Sequence, residues 1–287
     1  MKNKEQGFVY NNSSSTALCL EVAADNNPFL TEKRYLAGYD IEALTSKVSY
    51  IESLYLLFKQ ELPNPQHTAL LNALFVALIN AGPRDEAIRA SMAAGVSKTR
   101  VEHLLPIGLS VLGGSNNGAQ TVEKAYSFIE QQINESKLDN NSLNLELLDN
   151  LVEKLTDKIP NANDRKQQLL TQHCPGFGQH YGDIDKLTAR LSQSIFEMMP
   201  NSIVFAWCQA FNQKLNKHKV GINPIGLAAA VFLELKLGAR ESIGLYQLLR
   251  APGILAHGME QNHKPITAIP MLKDDAYHFT PVVPDNE

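Results

Sequence analysis

Apolar residues recur three and four positions apart along most of the chain, the spacing that lines one face of a helix. The run Tyr50-Ile51-Glu52-Ser53-Leu54-Tyr55-Leu56-Leu57-Phe58 has this pattern, and Pro63 stops it. Leu70, Leu71, Leu74, Val76, Leu78 and Ile79 predict a second helix that breaks at Gly82-Pro83. Further helices are expected near 84–95, 101–112 and 120–135, and a short one near 145–158 inside a polar, Asn-rich stretch that reads as a surface excursion. Beyond Cys174-Pro175-Gly176-Phe177-Gly178 the pattern predicts helices over about 183–198, 202–217 and 224–237, then a last pair over 241–249 and 253–263. Residues 1–30 are polar and carry Asn-Asn-Ser-Ser-Ser, so they read as an irregular arm. No segment alternates apolar and polar residues long enough to predict a sheet. The fold class expected is therefore all-α.

Composition narrows the partners. Twenty-six basic against 30 acidic residues give a formal charge of −4, and no basic run marks a nucleic-acid footprint. No stretch reaches the ~18 apolar residues that span a bilayer. The first residues are polar and lack the apolar stretch of a signal peptide, so a cytoplasmic protein is expected. Three widely spaced cysteines (Cys19, Cys174, Cys208) fit reduced thiols and neither a disulfide framework nor a metal site.

Four segments then stand in a telling order. Arg34-Tyr35-Leu36-Ala37-Gly38-Tyr39-Asp40-Ile41 is followed by Leu56-Leu57-Phe58-Lys59-Gln60-Glu61-Leu62-Pro63. Next comes the glycine-rich turn from Gly113 to Gly118-Ala119, and then Pro175-Gly176-Phe177-Gly178. The last runs from Asn223-Pro224-Ile225-Gly226 to Leu249-Arg250-Ala251-Pro252-Gly253-Ile254-Leu255-Ala256-His257-Gly258-Met259-Glu260-Gln261. Together they resemble the "RGYDI…GELP", "HGGANE", "PGFGHR" and "R..GWIAHWLEQ" segments of the citrate synthase / citryl-CoA lyase family. The short gap between the first two is similar to the compact citryl-CoA lyase module of ATP-citrate lyase. Asn80-Ala81-Gly82-Pro83 resembles that module's "DHGPA".

The resemblance implies a large helical dimerisation domain from 31–118 with 236–287. It also implies a smaller helical domain, 119–235, carrying a coenzyme A loop at Pro175, Gly176, Phe177 and Gly178. It implies a homodimer, and a coenzyme A thioester as substrate or ligand without a permanently bound cofactor.

The chemistry needs a carboxylate to take a proton from the thioester's α-carbon, and donors for the enolate and keto oxygens. The family supplies an Asp and two His. Here the Asp falls on Ile225, the His of the glycine-rich turn on Asn116 if Gly118-Ala119 sets the register and on Gly113 in a shifted one, and the His after "GFG" on Gln179. The following Arg falls on His180, and the His of "DHGPA" on Ala81. Only the carboxylate-binding Arg is kept, as Arg250. One acid–base residue is worth ~10²–10⁴ in rate, so the loss bears on activity itself. Asn116 and Gln179 can still donate hydrogen bonds. A replacement base would have to come from His180, Asp183, Asp185 or Asp85.

Each residue also has a plainer use. Gly176 and Gly178 suit an ordinary tight turn, and Arg250 an intramolecular ion pair. His180 suits a surface loop, and His257 a hydrogen-bonded position on a helix face. His103 and His218 read as solvated, Cys174 as a bystander thiol and Trp207 as core. Ala87, Ala90, Ala93, Ala94 and Gly95 suit either a dimer seam or packing within the chain. Three readings stay open. The first is an enzyme making or breaking a carbon–carbon bond beside a thioester with an altered site. The second is an inactive descendant that binds coenzyme A or regulates, and the third is a dimerising scaffold.

Overall fold

The computed structural model describes residues 14–114, 118–136, 143–157, 173–179 and 182–280. Two compact units divide the chain, residues 1–72 and 73–287.

The first unit opens with an antiparallel sheet of β1 (Cys19–Ala24), β2 (Asn27–Leu36) and β3 (Tyr39–Asp40), in that order. Cys19 pairs with Leu36 and Glu21 with Arg34, and the register shifts around Ala23. This corrects the expectation of an irregular arm over 1–30 and of no strand at all. The reason is physical: nearly every residue of β1 and β2 is exposed, so no buried face imposed the alternation by which strands are recognised. Three helices follow, α1 (Ile41–Lys47), α2 (Tyr50–Lys59) and α3 (Pro65–Leu78), and the chain passes into the second unit within α3. Ser49 and Glu52 form a reciprocal capping box that starts α2, and Gln60 in the left-handed conformation ends it.

The second unit holds α4 (Glu86–Val96), α5 (Val101–Leu112), α6 (Ala119–Ser136) and α7 (Leu145–Asp157). It continues with α8 (Lys186–Phe196), α9 (Ile203–Asn216), α10 (Pro224–Glu234) and α11 (Ala239–Asn262). Helix α11 packs on α4, α5 and α6, and α10 packs on α6 and α9. The boundary between units falls at Asn72, and 73–287 share one unit. None of the described helices is long and apolar enough to cross a membrane.

Close approach explains the small residues of α4. A Cβ on Gly95 would sit 2.2 Å from the Gly258 carbonyl oxygen, and one on Gly258 would sit 2.2 Å from Ser91 Oγ. Ala87 is buried too, whereas Ala93 is exposed. Packing within the chain thus accounts for Ala87 and Gly95.

Helix α11 runs unbroken through Pro252, where the sequence predicts a break. Pro252 lies on the exposed side of the helix, so the carbonyl it leaves without an N–H partner can turn to solvent. The neighbouring Gly253 abuts the Ile79 carbonyl, where a Cβ would come within 2.4 Å.

Candidate active site

Three helices begin at one place. Asp85 caps α4 by accepting from Ile88 N (3.1 Å), and Asp185 caps α8 by accepting from Leu187 N and Thr188 N. Asn223 caps α10 by accepting from Gly226 N (3.0 Å). A cleft of about 200 Å³ opens among these three caps. Tyr246 and Arg250, one turn apart on α11, also line it.

The Cys174–Gly178 loop leads into Gln179, which lines the cleft. Gly176 and Gly178 have φ of +91° and +92°, where a side chain would be strained. The loop backbone is bonded to the segment that leads into α10. Asn223 N donates to Gly176 O (3.1 Å), Gly178 N donates to Gly221 O (2.7 Å), and Asn223 Nδ2 donates to Gly178 O (2.9 Å). A Cβ on Gly226 would meet the Gly176 carbonyl oxygen at 2.0 Å, so the pair Gly176/Gly226 is what lets loop and helix touch.

Phe177 is fully buried, edge-on to Phe211 at 4.9 Å between ring centroids and near Phe128 and Trp207. The Phe177 side chain is therefore part of the core. Gly176 and Gly178 are buried as well, and Pro175 is half-buried. Of this loop, Gln179 lines the cleft.

Arg250 is the electrostatic centre. Its Nη2 donates to Asp85 Oδ2 at 2.7 Å and its Nη1 donates to the Tyr246 hydroxyl at 2.9 Å. Its guanidinium carbon stands 5.6 Å from the centre of the Tyr246 ring. The side chain is only 6 % exposed, and Nε is buried without a hydrogen-bond partner. Burial by itself pulls the Arg250 pKa down; the neighbouring Tyr246 and the Asp85 carboxylate outweigh it and leave the guanidinium above its ordinary value. Burial pushes the Tyr246 phenol up, against the opposing pull of Arg250. The phenol thus keeps its proton at neutral pH and can donate it in a hydrogen bond.

Six of the positions singled out in the sequence come together here. Gln179, Ile225, Arg250, Asp85, Asp185 and Ala81 all line the cleft. Ile225 faces it from the first turn of α10 and is 98 % buried by its surroundings. Asp183 is exposed and outside the lining. Asn116 and His180 lie outside the described residues. His257 bonds through Nε2 to Asn80 Oδ1 at 3.2 Å, a structural contact.

Tyr246 went unnoticed in the sequence. Its place four residues before Arg250 on a helix was the available signal, since such pairs share a face.

No known family and no curated protein matches the chain by sequence. By structure the likeness is extensive. Citryl-CoA lyase from Hydrogenobacter thermophilus superposes with a TM-score of 0.71 at 19 % identity, over 96 % of either chain. ATP citrate lyase from Methanothrix soehngenii, solved with citrate and coenzyme A, matches 93 % of this chain and 44 % of its own, with TM-score 0.62 and 15 % identity. This chain has the citrate synthase-like fold. Citrate synthase from Thermoplasma acidophilum, solved with carboxymethyl coenzyme A and oxaloacetate, shares that fold at TM-score 0.55 and 16 % identity, over 82 % of this chain and 59 % of its own. Coenzyme A or citrate thus sits in structures built on the citrate synthase-like fold, and the likeness at these identities concerns the fold.

Proposed function

We propose that this protein is an enzyme of the citrate synthase / citryl-CoA lyase type that makes or cleaves a carbon–carbon bond next to a coenzyme A thioester, with Asp85 in the proton-transfer role. The observation that carries the proposal is that Asp85, Arg250, Tyr246 and Gln179 line the same cleft as Ile225, the position where the resemblance places the family's Asp. A carboxylate is therefore present, supplied from the start of α4 instead of α10. Gln179 and Tyr246 can donate to the enolate and keto oxygens, and such donors act strongly where water is excluded.

In this reading Asp85 Oδ2 leaves Arg250 when substrate enters. The freed guanidinium takes the substrate carboxylate, and Asp85 takes the α-proton of the thioester. The cleft, about 200 Å³, is below the ~300–1,000 Å³ that holds a drug-sized ligand. It suits the reacting end of the thioester, with the bulk of coenzyme A lying outside.

The test is α-deuterium loss from acetyl-CoA and other short acyl-CoA thioesters in ordinary water. Exchange that requires protein and falls at least ~10²-fold in Asp85→Asn supports the assignment. The Asn variant keeps a capping side chain for α4, so folding is preserved. Exchange that persists at full rate in Asp85→Asn removes Asp85 from the role, and no exchange with any thioester removes the enzyme reading.

A second reading is favoured by one observation. Both Asp85 and Asp185 already serve as helix caps, and Asp85 is paired with Arg250. A protein that binds coenzyme A without turnover would keep them so. It predicts thermal stabilisation by coenzyme A, about 2.7 kcal/mol at 100 times Kd, without deuterium exchange. In either case we infer a cytoplasmic homodimer, and a monomer by analytical ultracentrifugation at micromolar concentration would remove that inference.

A further inference from the structure

We infer that the cleft selects a 2-oxo acid with a single carboxylate and a small apolar group over a dicarboxylate such as oxaloacetate. The inference rests on the reading that this cleft works on a thioester, and it names the second substrate.

The charges on the wall set the limit. Two guanidinium groups, Arg84 and Arg250, stand against three carboxylates, Asp85, Glu86 and Asp185. Arg84 and Glu86 are exposed, so solvent screens both. The groups that decide are the buried Arg250 and the partly buried Asp85 and Asp185. Arg250 gives one of its five N–H donors to Asp85 and one to Tyr246. It is the one cation among the buried lining residues, so the guanidinium that Asp85 releases serves a single carboxylate.

The helix ends agree. Carboxylates already cap α4 and α8, while α10 has the neutral Asn223 and keeps its positive end uncompensated. One carboxylate therefore finds the Arg250 guanidinium and the start of α10. A second would join Asp85 and Asp185 with no free cation on the buried wall. Pro224 and Ile225 form the apolar part of the lining at the same helix start, and accept a methyl or ethyl group where a polar chain would lose its hydration.

The reaction balances without a further reactant. The thioester's α-carbon loses a proton to Asp85 and forms a bond to the keto carbon of the 2-oxo acid. The keto π electrons go to oxygen, which gains a proton and becomes a hydroxyl. The product is a 3-carboxy-3-hydroxyacyl-CoA, and cleavage runs the same steps backward.

The experiment measures binding and product on the whole protein. Pyruvate and 2-oxobutyrate are compared with oxaloacetate and 2-oxoglutarate by calorimetric titration, with and without saturating acetyl-CoA, and the adduct is followed by mass spectrometry. The monocarboxylates are expected to bind at least tenfold more tightly. Asp85→Asn, which frees Arg250 and removes one negative charge, should improve dicarboxylate binding about tenfold and close most of the gap. Equal binding, preference for the dicarboxylates, or no binding by either class overturns the inference. Monocarboxylate binding without adduct or deuterium exchange sinks the enzyme reading and leaves the selectivity standing. Exchange with turnover of oxaloacetate alone does the reverse.

Discussion

The Cys174–Gly178 loop and the β1–β2 hairpin are both non-helical pieces of a helical chain, and they are held in opposite ways. The hairpin satisfies its backbone through its own ladder and leaves its side chains in water; Phe29 is 80 % exposed. The loop has no ladder of its own. It bonds to the strip before α10, sinks Phe177 among Phe128, Trp207 and Phe211, and permits contact through two glycines. A segment without secondary structure can thus be the better fixed of the two, because buried area and neighbouring backbone hold it in place. Gln179, which ends the loop, reaches the cleft on that footing.

The largest effect that would break this contrast lies under the loop. Trp207→Ala empties the centre of the aromatic cluster and should cost ~3–5 kcal/mol, read from chemical denaturation. A loss near 1 kcal/mol would mean the loop does not depend on the cluster. Asp85→Ala removes one partner of a largely buried ion pair, a class of change that costs ~3–5 kcal/mol, and should come out below that range because Asp85 is still 19 % exposed. Asp85→Asn should be the milder of the two, since the cap survives.

Gly226→Ala drives a methyl group into the Gly176 carbonyl and should cost ~1–3 kcal/mol, as overpacking does. It should also weaken ligand binding in the cleft, since Gln179 moves with the loop. Unchanged stability and binding together would show that the close approach is dispensable.

The thiols sharpen the comparison through pH. Burial pushes Cys174, at the head of the loop, up from an ordinary 9.0 to about 12, and pushes Cys208 up as well; Cys19 in the hairpin is exposed. Raised thiol pKa values favour the neutral form in the folded state. Their contribution to stability is whole below about 9 and is lost as pH climbs toward 12. With an aromatic disulfide reagent at pH 8, one thiol should react quickly in the native protein and three after unfolding. A second fast thiol would show that the loop opens.

The smallest effects belong to the hairpin. Glu21→Ala removes the exposed pair with Arg34 and should change stability by no more than ~1 kcal/mol. Phe29→Ser should stay within ~0.5 kcal/mol, as surface changes do. A larger loss at Phe29 would mean that the exposed face is covered in solution.

Helix positions were readable because each buries a stripe at a fixed period; 101–112 is the same in the pattern and in the structure, where it is Val101–Leu112. The hairpin was not, because residues that bury nothing carry no period. Pro252 misled for a related reason: a proline reports a missing N–H, and whether that breaks a helix depends on which side faces water.

The site divides the same way. Its residue types were legible through the four motifs, including Ile225, where the resemblance places an Asp, and Arg250. The alternative carboxylates Asp85 and Asp185 could be named, but sequence has no term for the distance between helix starts. Two chain segments 165 residues apart meet as Asp85 and Arg250, and only packing brings them within hydrogen-bond reach. The sequence by itself determined which residue types stand at the motif positions and which helices would form, since both are local properties of residue type and spacing. Tertiary structure alone decided that a carboxylate still faces the cleft and that Phe177 is core, because burial and pairing arise between segments and not within them.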